Sequence, residues 1–253
     1  MQAVKKVLRP FKRAALAFIR EEIPVANDQP KDFDHGRAQH YEARHNLNSI
    51  QESFVTLYEA RNADRLNDGV WIDTEEWFDN DQKKLDDFVA HTKDKECLEI
   101  GSGPFGVVPL CDWMTKRTVI DPLADVYKQA QLDLSGETFF KEMTLLSIPA
   151  EQFEPGLKNK IDGAIICRNA IDHAEDPLKI LNNIAQYAAP GCYLLFWSDI
   201  WHENLDDGHR NITRSVELMD RLVDGLGFDV QWQHPLIRDQ SEYIEYGCVA
   251  RKR

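Results

Sequence analysis

Residues 99–106 read EIGSGPFG, and twenty positions past Gly101 a second apolar run, TVI, ends in Asp121. Glycines at this spacing let the backbone bend sharply and approach a ligand with no Cβ in the way. An acid at the end of the neighbouring strand accepts hydrogen bonds from ribose hydroxyls. Gly101, Ser102 and Gly103 are therefore candidates to contact a nucleoside, and Asp121 to hold its sugar. The turn also fits the GxGxxG pattern of dinucleotide sites. Three features point away from a dinucleotide. Glu99 stands two residues before Gly101, where an acid repels a pyrophosphate but suits a cationic, amino-bearing ligand. Pro104 and Phe105 widen the turn where a diphosphate needs free N–H groups at a helix start. The chain closes on two strands with no helix between them, not on a second mononucleotide half.

A second group with chemical capacity is DIWHENLDDGHRN, which follows the fifth expected strand. Parallel sheets place ligands at such carboxyl-end loops. His209 is a candidate base or acceptor contact, because imidazole titrates near neutral pH. His202, Asp206 and Asp207 share this stretch. His and Asp together suit a divalent metal, but nothing in the spacing demands one, and no metal is assigned. Cys97, Cys111, Cys167, Cys192 and Cys248 are scattered, with no CxxC or zinc spacing. They read as buried small hydrophobes in a reducing compartment.

These residues must be positioned by alternating strands and helices. Strands are expected at 96–100, 118–121, 137–141, 162–167 and 192–197, and helices at 106–116, 123–132, 177–188 and 211–225. The helix at 177 has Asp176 as its N-cap and Pro177 at its first position. Strands alternating with helices imply a parallel sheet. The closing strands, 228–233 and 243–250, should pair as a hairpin, which makes one of them antiparallel. Upstream, residues 24–36 read as a linker and 37–92 as mainly helical, with Ile50, Phe54, Leu57 and Tyr58 on one face. The expected division is a basic amphipathic helix at 1–23, a helical extension at 24–92, and an α/β domain at 93–253.

The 253 residues are 43% hydrophobic and carry a net charge of −13, which argues against nucleic acid as the main partner. The charge is uneven: residues 1–20 hold six cations and no acid, leaving −19 on the rest. In residues 3–20, apolar residues recur at helical spacing between the cations. Two roles are open for this segment. It lies on an anionic membrane surface, or it packs on the acidic body or a second subunit. No apolar run reaches membrane-spanning length, and no small-residue cleavage site follows AALAFI. A cytoplasmic location is expected, peripheral to the inner face of a membrane if the basic helix binds one.

Five stretches in order resemble motifs of the class I S-adenosylmethionine-dependent methyltransferases, in particular the type 11 branch: LEIGSGPFG, VIDPL, FFKEMTLLSIP, IICRNAIDHAEDP and AAPGCYLLFWSD. The resemblance spans residues 96 to 200, and more loosely to 250. It implies a Rossmann-like, seven-stranded, mostly parallel sheet with a C-terminal antiparallel hairpin, flanked by helices. It implies S-adenosylmethionine as cofactor. By resemblance, Pro122 and Leu123 lie against the adenine and Glu142 and Met143 read its edge. Cys167 to Asn169 line the methionine end, and His173 stands near the methyl as a candidate base. The sequence departs from the commonest family loop at Ser102, where cysteine is frequent, and at Phe105, where glycine is frequent.

In many members of that family an N-terminal helical segment covers the site. His35, His40, Tyr41, Arg44, Trp71 and Trp77 are the residues available for such a lid, and Arg37 or Arg44 could pair with the methionine carboxylate. The expected activity is methylation of an oxygen on a small, sugar-like or lipid-linked acceptor. The competing readings are a nicotinamide-dependent oxidoreductase or sugar-nucleotide enzyme, and a catalytically silent partner subunit.

Overall fold

The structure is a computed structural model, and it describes residues 46, 49–50, 53–54, 77–203, 209–233 and 243–253. The basic segment, the linker, most of the helical extension and the remaining lid residues lie outside these, as do Asp206 and Asp207.

Helix α1 (Gln82–Thr92) leads into the sheet. Asp81 caps it, its carboxylate accepting from the N–H groups of Lys83 and Lys84. Strand β1 (Glu96–Ile100), strand β2 (Lys116–Ile120), helix α2 (Ala124–Ser135), strand β3 (Thr144–Leu146) and strand β4 (Ala164–Arg168) follow. Helix α3 (Pro177–Tyr187), strand β5 (Tyr193–His202), helix α4 (Val216–Gly225), strand β6 (Phe228–Gln233) and strand β7 (Tyr243–Lys252) complete it. Asp176 caps α3 as expected, accepting from Lys179 N–H.

The seven strands form one sheet in the order β3-β2-β1-β4-β5-β7-β6. β1 to β5 are mutually parallel. β7 runs antiparallel between β5 and β6, so the closing pair is the expected hairpin. The winding direction reverses between β1 and β4, and such a reversal opens a crevice at the carboxyl ends of the strands. β1 and β4 are buried on both faces, as strands covered by helices must be. One face carries the larger core, with Ile165, Leu181, Ile184, Phe196 and Tyr246 among its members. On the other, Trp77, Phe78 and Phe88 pack on Ala164, Ile166 and Leu195.

Four expectations are corrected. No α-helix occupies 106–116; a single 3-10 turn, Val108–Leu110, stands there. Gly106 has φ +61°, outside the helical region, and Pro109 supplies no N–H for an α-helical ladder. The third strand is not 137–141. Phe139 and Phe140 are buried in a turn against Tyr127, Ile50 and Phe54, with the Phe54 and Phe139 rings edge to face at 5.1 Å. A buried turn needs the same apolar residues as a strand, so residue type alone does not separate them. Finally, β5 runs five residues beyond its expected end, to His202. Trp77, read as a lid residue, is 1% exposed and belongs to the core.

Candidate functional site

The glycine turn leaves β1 at the winding reversal, and three buried polar side chains hold it. Glu99 is the first. Its carboxylate lies beneath the turn and accepts from Val107 N–H at 2.8 Å and Val108 N–H at 2.9 Å. Glu99 is 2% exposed, so it braces the loop from inside and does not face a ligand. The second is Asp121, at the end of β2, which accepts from Gly103 N–H at 2.9 Å and Leu123 N–H at 2.8 Å. Each of its oxygens keeps a second lone pair. The third is Gln131 on α2. Its amide donates to Pro104 O and accepts from Thr138 Oγ1 and Phe139 N–H.

Gly101 (φ +68°) and Gly103 (φ +57°) do different work. A Cβ on Gly101 would stand 2.3 Å from Ala170 Cβ, so the turn after β1 packs directly on the turn after β4. A Cβ on Gly103 would meet nothing within 4 Å among the described residues, which leave the backbone there open to approach.

Burial pushes the Glu99 carboxyl up to about 7, opposed by its two backbone hydrogen bonds. Asp121 is raised too, by burial, against its two N–H partners. Between the usual 4.5 and about 7, folded Glu99 holds a proton that the unfolded chain has released. Its contribution is fully present below 4.5 and is lost as pH rises through about 7, on the order of 3 kcal/mol. Glu99→Gln is expected to flatten that fall. Urea unfolding of both proteins at pH 5 and pH 8 measures it; an equal fall in the two would remove Glu99 as the cause.

The remaining candidates divide. Pro122 is exposed beside Asp121, and Leu123 is half-buried at the start of α2. Ser102 is buried, its hydroxyl on Gly103 O. Asn169 is exposed with φ +46°, its N–H on Trp197 O. Cys167 is fully buried in the core with its thiol pushed up by burial, so only its backbone is available to a ligand. Glu142 and Met143 precede β3 and therefore lie at its amino end. The carboxyl edge shared with Asp121 is reached by Ser147 and Ile148 instead, as Asp121 N–H donating to Leu146 O shows. This displacement follows from the misplaced third strand.

Beyond β4 and β5 the structure assembles a cluster that the sequence reading saw only in part. Asp172, His173, Asp199, His202 and His209 converge there. His173 and His209 have ring centres 4.5 Å apart, and His202 and His209 4.8 Å. Asp172 is wholly buried; its Oδ1 accepts from Ser198 Oγ at 2.9 Å. Its Oδ2 stands 3.6 Å from His173 Nε2 and 3.9 Å from His209 Nε2. A bulge in β5 between Asp199 and Trp201 breaks the strand's alternation, and His202 Nε2 comes to 3.4 Å from Asp199 Oδ2. Such bulges re-aim side chains. Asn211 clamps the backbone of His202 from both sides, and Arg210 N–H donates to Asp172 O. Asp172 and Asp199 are the members of the cluster that residue type and spacing do not single out. The one signal for Asp172 is its adjacency to His173 in a turn at the sheet's carboxyl edge.

Solved structures share this architecture. A presumed methyltransferase from Bacillus halodurans superposes with a TM-score of 0.50 at 16% identity, over 68% of this chain and 99% of that one. The trans-methyltransferase CalH, in complex with S-adenosylhomocysteine, also gives 0.50, at 13% identity, over 67% of this chain and 55% of that one. The fold is that of the class I methyltransferases. No protein-family model and no curated protein matches the sequence. Within the methyltransferase fold, the glycine turn, Asp121 and the histidine cluster share one edge of the sheet. Among the described residues no helix is long and apolar enough to cross a membrane.

Proposed function

We propose that the protein is an S-adenosylmethionine-dependent methyltransferase acting on an oxygen of a small, sugar-like or lipid-linked acceptor. The observation that carries the cofactor half is the occupancy of the turn's N–H groups. Dinucleotide sites leave the amides after the glycine turn free for pyrophosphate. Here the amides of Val107 and Val108 are filled by Glu99. The turn favours a ligand without phosphates. The spare lone pairs of Asp121 suit ribose hydroxyls, the open face of Gly103 admits the nucleoside, and Pro122 and Leu123 lie beside it. Ser147 and Ile148 replace Glu142 and Met143 as the residues reading the adenine edge. The backbone of Cys167 to Asn169 lines the methionine end.

A sulfonium methyl is already electrophilic, so the protein must align an acceptor and exclude water. A hydroxyl acceptor must also give up a proton as the bond forms. His173 takes that proton, steadied by Asp172, while His209 contacts the acceptor. The lipid-linked alternative is motivated by the basic segment 1–20, and liposome flotation with and without that segment tests it.

Calorimetry with S-adenosylhomocysteine and with NAD tests the cofactor assignment. Binding of the first and none of the second is expected, and the reverse overturns the proposal. For the chemistry, methyl-labelled cofactor is incubated with aqueous and lipid fractions of a cell extract. His173→Ala is expected to lower label incorporation by about 10²–10⁴-fold while S-adenosylhomocysteine affinity holds. Undiminished transfer would remove His173 as base.

A further inference from the structure

The cluster beyond β4 and β5 contains more than one proton acceptor needs. We infer that Asp172, His202 and His209 form a binding site for one divalent first-row transition metal ion. Each offers a ligand atom, and these atoms lie within 4.8 Å of one another. A point exists within about 2.8 Å of all three. Contraction by under about 1 Å brings each to the roughly 2.0–2.2 Å of a metal–nitrogen or metal–oxygen bond.

The independent sign is Asp172. It is 0% exposed, and its Oδ2 accepts no hydrogen bond among the described residues. His173 Nε2 and His209 Nε2 stand 3.6 Å and 3.9 Å from it, beyond hydrogen-bond reach, so its burial is costly and an ion is one of the few partners that compensates it. That oxygen is turned toward the imidazoles, while Ser198 holds the other.

The surroundings fit as well. A ligating imidazole usually gives its second ring nitrogen to a carboxylate. Asp199 Oδ2, 3.4 Å from His202 Nε2, is placed for that. The backbones of His202 and of Arg210, next to His209, are tied down by Asn211 and Asp172. Two imidazoles and one carboxylate select iron, manganese, cobalt or zinc over magnesium and calcium, and leave coordination positions open. An ion there would bind an acceptor oxygen and ease its deprotonation, so that His209 would act on the acceptor through the ion while His173 takes the proton. That use rests on the methyltransferase reading; the site itself does not.

The full chain, purified without chelators or a histidine tag, is analysed for metals by mass spectrometry and titrated with Co²⁺ while its visible absorption is followed. One ion per chain and a ligand-field band saturating at one equivalent are expected. His202→Ala and His209→Ala, both at half-buried positions, should lose the band and keep the wild-type circular dichroism. His91→Ala, far along α1, should retain it. If one of the first two variants is unfolded, the other decides. No stoichiometric binding by the wild type, or an unchanged band in a folded His202→Ala or His209→Ala protein, overturns the site. S-adenosylhomocysteine calorimetry on the same sample separates the two proposals, since its failure overturns the cofactor assignment and leaves the metal result standing.

Discussion

Gly101→Ala is expected to abolish S-adenosylhomocysteine binding and to lower the melting temperature by roughly 5–15 °C. Two costs combine. The residue sits at φ +68°, where an L side chain is strained by about 1–2 kcal/mol. Its new Cβ would also lie 2.3 Å from Ala170 Cβ, far inside contact distance. Ala170 cannot retreat easily, because Asn169 is already left-handed and tied to Trp197 O, and Ile171 is fully buried. Overpacking of this kind costs about 1–3 kcal/mol. The two parts can be separated. Gly103→Ala carries the backbone strain alone, since nothing among the described residues lies within 4 Å of the new Cβ, so its melting temperature should fall by only a few degrees. Adding Ala170→Gly to Gly101→Ala should recover the packing part. A double variant no more stable than Gly101→Ala would mean that the contact between the two turns is not what glycine protects.

Asp121→Asn is the second large effect. The carboxylate accepts from two backbone N–H groups at once, through different oxygens. An asparagine amide must turn its NH₂ toward one of them, which leaves a buried donor facing a donor. Losing a charge-assisted hydrogen bond costs about 1.5–3 kcal/mol, so S-adenosylhomocysteine affinity should fall on the order of 100-fold, given tenfold per about 1.4 kcal/mol. The variant should also melt earlier, because the loop loses its tie to β2. Because burial raises the Asp121 carboxyl, wild-type affinity should weaken on the acid side at a higher pH than an ordinary carboxylate would give. Calorimetry across a pH series checks both; affinity unchanged in Asp121→Asn would place the ribose elsewhere.

What was legible in the sequence were features written locally. β1, β4 and the Asp176-capped α3 announce themselves through apolar runs and cap residues, and Asp121 through its distance from the glycines. What was not legible depends on where a side chain turns. By residue type and position Glu99 suits a cationic, amino-bearing ligand, but its side chain turns inward. Its actual partners, Val107 and Val108, lie eight and nine residues on, and nothing in their type marks them as donors. The 106–116 segment has the apolar content of a helix, but Gly106 and Pro109 forbid one. Asp172 and His202 are thirty residues apart and meet only because β4 and β5 pair side by side. Gln131 is an unremarkable helical glutamine until the turn it supports is folded.

The position of β7 has a consequence for how the chain is made. A ribosome releases β5 some forty residues before the strand that pairs with its outer edge. Through that interval Tyr193–His202 presents an unsatisfied ladder, the kind of edge that invites pairing with another chain. β6 emerges first but does not cover it, because among the described residues it pairs with β7 and not with β5. The glycine-turn half of the sheet, β1 to β4, can be assembled while the nascent chain still carries an open seam beside it. Only when residues 243–252 slot between the waiting strands does the seam close, and with it the bulge that aims His202.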